Sequence, residues 1–142
     1  YAFGCNISAL QRLMGIDETV LWSGDSNTWN GTSLTLSETL FHFDRIRVVY
    51  SPWSEADSNH ITEFVPRTSA PYNMTLAGAF VDSYNWNSAA TPYLFKSTFH
   101  WSSAADTMVL DKNWILNQLT SAWSERNNAR MYKVIGIGRK EV

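Results

Sequence analysis

Apolar and polar side chains alternate with a period of two in short segments along most of the chain from residue 19 onward. The clearest segment is 93–101, where one set of side chains is aromatic (Tyr93, Phe95, Phe99, Trp101) and the other polar (Lys96, Thr98, His100). A period of two places alternate side chains on opposite faces of a β-strand. This pattern predicts strands that are buried on one face only.

Eight segments have this strand pattern, and Gly-, Pro-, Asn- and Ser-rich turns separate them. They are 19–24, 33–37, 45–50, 60–65, 74–81, 93–101, 107–110 and 130–138. Residues 114–119 are compatible with a strand or a helix. Residues 38–44 interrupt the alternation, and we expect a tight turn there with Leu40 and Phe43 inward. Short strands at regular spacing predict an all-β fold, an antiparallel β-sandwich or jelly roll, over residues 19–142.

The N-terminal segment has a different periodicity. Ile7, Leu10, Leu13 and Met14 follow helical spacing, and Gly15 is a suitable helix end. The sequence therefore predicts a short helix over residues 6–15, within an N-terminal segment, 1–18, that precedes the predicted strands. A helix this short is marginal alone, so we expect it to pack on the domain or on a neighbouring subunit.

Charge and cysteine content exclude several classes of protein. Eleven Lys and Arg stand against thirteen Asp and Glu, a net charge of -2, which argues against nucleic-acid binding. The single cysteine, Cys5, permits neither an intramolecular disulfide nor a cysteine-based zinc site. No apolar run is long enough to span a membrane. We expect no nucleic-acid partner and no membrane insertion.

Patterns for catalysis are weak. His42, His60 and His100 have no second His or Cys at metal-ligand spacing, and most Asp and Glu residues lie in turn segments, where Asp commonly stabilises the turn. No nucleophile elbow or phosphate-binding loop is present. We therefore predict no catalytic residues, no metal and no cofactor.

Four aromatic residues lie in predicted polar loops: Trp29, Trp53, Tyr84 and Trp86. A loop aromatic can anchor its loop against the core, or it can be exposed and stack on a sugar ring or a protein surface. Both alternatives remain open for each residue. Because there are four such loop aromatics, we expect at least one or two of them to be exposed and functional.

Residues 21–51 and 132–137 carry a motif pattern. It consists of LWSG at 21–24, LTLS at 34–37, Leu40, Phe43–Asp44, alternating Ile46, Val48 and Tyr50, and YKVIGI at 132–137. This pattern resembles the C-terminal domains of tailed-bacteriophage tail fibres and related prophage tail proteins. Residues 52–130 contain no matching motif. The matching positions are explicable as scaffold, so the resemblance concerns the fold and not the binding site.

The resemblance implies a homotrimeric fibre tip on a virion made in bacterial cytoplasm. Residues 1–18 would then be the junction segment that attaches the tip to a fibre shaft. Its partner would be a host surface polysaccharide, lipopolysaccharide or outer-membrane protein. Candidate receptor-binding residues are the loop aromatics with nearby polar residues: Trp29, Trp53, Asp57, Asn59, Tyr84, Asn85 and Trp86. Alternatives are a polysaccharide-cleaving tailspike-type module and a trimerisation or assembly cap.

Overall fold

The computed structural model describes residues 10, 17–26, 29–54, 56, 58–82 and 91–140. Within them the chain forms nine strands and one 3₁₀ turn, Leu40–His42. The strands are β1 (Glu18–Ser26), β2 (Thr32–Thr35), β3 (Phe43–Ser51), β4 (His60–Phe64), β5 (Asn73–Val81), β6 (Pro92–Trp101), β7 (Thr107–Asn117), β8 (Ala122–Glu125) and β9 (Arg130–Arg139).

The strands form two antiparallel sheets that pack together. Sheet I has the strand order β1-β9-β3-β4. Sheet II has the order β2-β7-β6-β5. Strand β8 also belongs to it: β2 pairs with the first half of β7, and β8 pairs with the second half along the same edge. The predicted all-β sandwich architecture is confirmed at this level.

The strand predictions hold because each strand buries one face. In β3 the predicted inward residues Ile46, Val48 and Tyr50 are buried. In β6 the aromatic face is inward from Phe95 to Trp101, while His100 is exposed. Residues 114–119, left open between helix and strand, belong largely to the long strand β7. Strand β8 was not predicted; it has only four residues, too few to show a clear period.

Aromatic side chains from both sheets meet in the core. Tyr50 of sheet I lies edge-on to Phe95 of sheet II, with ring centroids 5.9 Å apart. Phe64 of β4 lies 5.6 Å from Phe99 of β6. Gly136 allows close packing beneath Phe43, because a Cβ at this position would lie 2.5 Å from the Phe43 ring.

The turn before β3 has the expected form. Leu40 and Phe43 are fully buried, and the Thr39 hydroxyl accepts a hydrogen bond from the Phe41 amide. Nearby, the Glu38 carboxylate accepts two hydrogen bonds from the Arg139 guanidinium and lies 2.8 Å from His42 Nδ1. These contacts fasten the end of β9 to the turn.

The predicted N-terminal helix over 6–15 lies outside the described residues, apart from Leu10. Most of the junction segment 1–18 likewise lies outside them. In the part of the chain that the structure describes, no helix has the length and apolar character that a membrane span requires.

Candidate functional site

The outer face of sheet II carries two aligned rows of side chains from four strands. One row contains Ala77, Lys96, Trp114 and Glu125. The next contains Ala79, Leu94, Leu116 and Trp123. Strand pairing therefore brings together residues from three separate stretches of sequence: β5, β6 and the β7–β8 hairpin.

An open depression of about 680 Å³ lies on this face. Strand β5 leaves space on its side of the depression, because Ala77, Gly78 and Ala79 have little or no side chain. Gly78 also leaves room underneath: a Cβ there would lie 3.0 Å from the Phe95 ring. Leu94, Lys96 and Trp123 line the rest, together with Thr75. We call this depression and its lining residues the Trp123 platform.

Trp123 supplies the exposed aromatic surface of the platform. Its side chain is 44% exposed, which is high for a residue with so much apolar area. The Lys96 ammonium lies 4.6 Å from the centroid of the Trp123 ring and 5.6 Å from that of Trp114. Both distances suit cation–π attraction, which positions the Lys96 side chain over the indoles.

Other charged groups on this face have partners of their own. The Lys112 ammonium donates to Asn30 Oδ1 at 2.8 Å and lies 3.4 Å from Glu125 Oε2. Further along the same face, His100 Nδ1 lies 2.8 Å from Asp111 Oδ1. None of these side chains lines the depression.

The loop between β3 and β4 meets the start of the β5–β6 loop at one end of the sandwich. Ala56 forms an isolated bridge with Asp82, and the Asp82 amide donates to Thr91 O at 3.4 Å. These contacts bring together the bases of two of the loops that we predicted to bind a receptor. The β7–β8 turn lies at the same end, since the Gln118 amide donates to Pro92 O.

The structure places one predicted site residue in the core, and this is a correction. Trp29 is fully buried, and its Nε1 donates to Thr98 O at 3.0 Å. Its own amide donates to Asn127 O at 2.9 Å. Trp29 therefore anchors its loop to the core and offers no surface to a receptor in this structure.

Of the other predicted site residues, the structure describes only Trp53 and Asn59. Trp53 is half-buried and packs edge-on against Phe80 and Tyr93, at 6.0 and 5.3 Å, so it contributes mainly to the core. Asn59 is exposed at the end of the same loop. Asp57, Tyr84, Asn85 and Trp86 lie outside the described residues.

Trp114 and Trp123 were not among the predicted site residues. The outward position of Lys96 was predictable from the alternation in β6. The signal for Trp114 is the same alternation, which continues through the long strand β7. Nothing local marks Trp123, because β8 becomes a strand only by pairing with β7.

A second, smaller cavity of about 240 Å³ lies at the edge of sheet I, lined by Asp17, Glu18, Asp44, Arg45, Arg47, Ile137 and Gly138. Its carboxylates have structural contacts. Glu18 lies 2.8 Å from Arg47, and Asp17 Oδ2 accepts from the Arg139 amide at 3.0 Å. Among the described residues, no cluster of three or more His, Cys, Asp or Glu is arranged to hold a metal ion.

Among the described residues that line the Trp123 platform, Lys96 has the only titratable side chain. A scan against protein-family models gives no match for this chain, and neither does a search of the curated proteins. The tail-fibre resemblance therefore rests on residues 21–51 and 132–137 alone.

Proposed function

We propose that this chain is the receptor-binding tip of a tailed-phage tail fibre and that it adsorbs to a glycan on the host cell surface without cleaving it. The observation that carries the binding role is the Trp123 platform. It is open to solvent, apolar at its centre and built on a paired sheet. The tail-fibre context is supported by the motif resemblance of residues 21–51 and 132–137.

The physical basis for glycan binding is the combination of an exposed indole with a shallow hollow. A sugar ring has an apolar face of C–H groups that stacks on an aromatic ring, while its hydroxyls need polar partners at the edge. Trp123 offers the aromatic ring, and Ala77 and Ala79 leave space beside it. Because these residues sit on paired strands, the surface is formed before the ligand arrives, which lowers the entropic cost of binding.

Loops at the end of the sandwich extend the proposed binding surface. The bridge between Ala56 and Asp82 joins the segment between β3 and β4 to the residue that follows β5. Trp53, Asn59 and the remaining predicted residues of these loops (Asp57, Tyr84, Asn85, Trp86) stay candidates for receptor contact. Loop variation on a constant scaffold would change the host that a fibre tip binds.

We further propose that the tip is a jelly-roll-like domain that assembles as a homotrimer. Its N-terminal segment, 1–18, would join it to the fibre shaft on the virion. A closed threefold assembly would place three copies of the platform on one tip, and simultaneous engagement would raise the avidity for a repeating polysaccharide.

The test uses purified, fluorescently labelled protein on a broad panel of Gram-negative and Gram-positive cells, with its mass measured by light scattering. We expect saturable binding by a trimer that is abolished when the cells are treated with periodate. Binding that survives periodate but not protease would replace the glycan with a surface protein.

Two further outcomes would contradict the proposal. Release of new reducing ends from surface polysaccharide would favour the tailspike-type enzyme. A trimer that binds no cell of the panel would favour the assembly cap.

A further inference from the structure

Lys96 has an unusual environment on the outer face of sheet II. It lies in β6 between Ala77 and Trp114 in the strand register, and its ammonium lies 4.6 Å from the Trp123 ring centroid. No carboxylate among the described residues lies within 4.0 Å of the Lys96 ammonium. Lys112 on the same face differs, because it lies 3.4 Å from Glu125 Oε2.

The surroundings of Lys96 strengthen its interaction with an anion. Lys96 is partly buried, and its ammonium lies near the Trp114 and Trp123 rings. Charges attract each other more strongly where the effective dielectric constant is low. The indole faces hold the ammonium but do not neutralise it. A cation that lies in an apolar hollow, with no carboxylate of the described residues beside it, is complementary to a ligand that brings one negative charge.

The size and charge of the site narrow the class of ligand. The depression, about 680 Å³, is within the range of small-ligand sites, roughly 300–1,000 Å³. One ammonium balances one charge, which matches a carboxylate better than a phosphate monoester, whose charge at pH 7 is about -1.5 to -2. In a uronic or sialic acid the carboxylate is attached directly to the sugar ring. When that ring stacks on Trp123, its charge therefore stays within reach of Lys96.

We propose that the Trp123 platform binds glycans whose sugar rings carry a carboxylate, and that Lys96 is the residue that binds this group. This inference rests on the proposed glycan-binding function and adds the class of sugar. Lys96 determines specificity through charge, whereas Trp123 supplies stacking for acidic and neutral sugars alike.

The experiment measures the affinity of the full chain for soluble acidic glycans. The probes are oligosaccharides of galacturonic, glucuronic and mannuronic acid, and oligosialic acid, each paired with its carboxyl-reduced neutral form. Titrations monitor tryptophan fluorescence at low and at physiological salt. We expect at least one acidic probe to bind about tenfold or more tightly than its reduced form, as expected for a hydrogen bond to a charged group.

Three variants show whether this preference depends on Lys96. In Lys96→Met the preference for the acidic probe should disappear, whereas Lys96→Arg should retain most of it. Lys112→Met, on the same face but paired with Glu125, is the matched control and should keep the preference. Equal binding of acidic and reduced probes by the wild type, unchanged preference in Lys96→Met, or no binding to any acidic probe would overturn the inference.

Adsorption to chemically treated cells tests the acidic specificity separately from the proposed glycan-binding function. Carboxyl reduction of the surface polysaccharide should abolish adsorption, while dephosphorylation with hydrofluoric acid should not. Adsorption that is sensitive to periodate but survives carboxyl reduction would leave the glycan-binding function standing and refute the acidic specificity. Loss upon dephosphorylation alone would refute the carboxylate in favour of a phosphate. A protein that adsorbs to no cell would refute both proposals.

Discussion

Arg45 and Arg47 on the outer face of sheet I and Lys96 on the outer face of sheet II have different neighbours. On sheet I, Arg45 Nε donates to Glu63 Oε2 and Arg47 Nε to Glu63 Oε1, both at 2.9 Å, and Arg47 also reaches Glu18 at 2.8 Å. On sheet II, Lys96 lies over Trp123 with no carboxylate among the described residues close enough to form an ion pair.

This difference separates an arginine cluster whose charges already have carboxylate partners from a lysine whose charge faces two indole rings. Hydrogen bonding from Arg47 lowers the pKa of Glu63, and the same bond raises the pKa of Arg47, as expected for a pair that favours both charged forms. Exposed pairs of this kind contribute little stability, and each charge already has its partner. Apolar residues exposed near them, such as Ile61 and Val20, are ordinary for a protein surface.

The largest expected effect is the difference in stability between replacing a core tryptophan and replacing a surface tryptophan. Trp29→Ala removes a fully buried indole and its hydrogen bond to Thr98 O, and should lower the free energy of unfolding by about 3–5 kcal/mol. Trp123→Ala should lower it by less than about 1 kcal/mol, because that ring is partly exposed. Urea unfolding of both variants measures the difference. Equal losses would mean that Trp123 is a structural residue.

Filling the platform should weaken binding without removing any aromatic ring. Ala77→Phe places a large side chain opposite Lys96, where the depression requires a small one. We expect about tenfold weaker adsorption to cells and an unchanged melting temperature. Asn73→Phe is the matched control, because Asn73 is exposed on the same strand but does not line the depression. Normal adsorption by Ala77→Phe would place the binding surface elsewhere.

A smaller effect is expected from the ion pair at the end of sheet I. The hydrogen bond from Arg139 lowers the pKa of Glu38 from 4.5 to about 2, with His42 contributing. Because the folded state favours the carboxylate, this stabilisation is present above about pH 4.5 and is lost as the pH falls towards 2. Its size should be about 1–2 kcal/mol after allowing for solvent screening.

Urea unfolding between pH 2 and pH 7 measures this contribution. Glu38→Gln should be less stable than the wild type at pH 6, and the difference should vanish near pH 2. Because the Glu63 side chain is more exposed than that of Glu38, Glu63→Gln should differ less from the wild type in stability. A difference between Glu38→Gln and the wild type that is the same at both pH values would show that the Glu38 charge does not contribute.

Strands and core residues were predictable from sequence because burial imposes a period of two that is visible within a few residues. Ile46, Val48 and Tyr50 show this in β3, and Leu40 and Phe43 follow from the break before it. Sheet order was not predictable, because the pairing of β1 with β9 and of β2 with β7 depends on contacts distant in sequence.

The Trp123 platform was not predictable for the same reason. Its lining comes from β5, β6 and β8, and no local motif links Ala77, Lys96 and Trp123. Trp29 illustrates the converse error: a polar loop sequence surrounds it, yet its backbone and indole hydrogen bonds draw it into the core. Loop composition indicates where the backbone turns, but it does not determine which way a ring points.

The most direct test of the account compares one exposed residue from each outer face. Adsorption isotherms are measured on a cell strain that the wild type binds, using Trp123→Ala from sheet II and Ile61→Ala from sheet I. We predict that Trp123→Ala loses about 2 kcal/mol of binding free energy, roughly a thirtyfold weaker affinity, while Ile61→Ala binds like the wild type. Wild-type affinity in Trp123→Ala, or a comparable loss in Ile61→Ala, would contradict the assignment of binding to the outer face of sheet II.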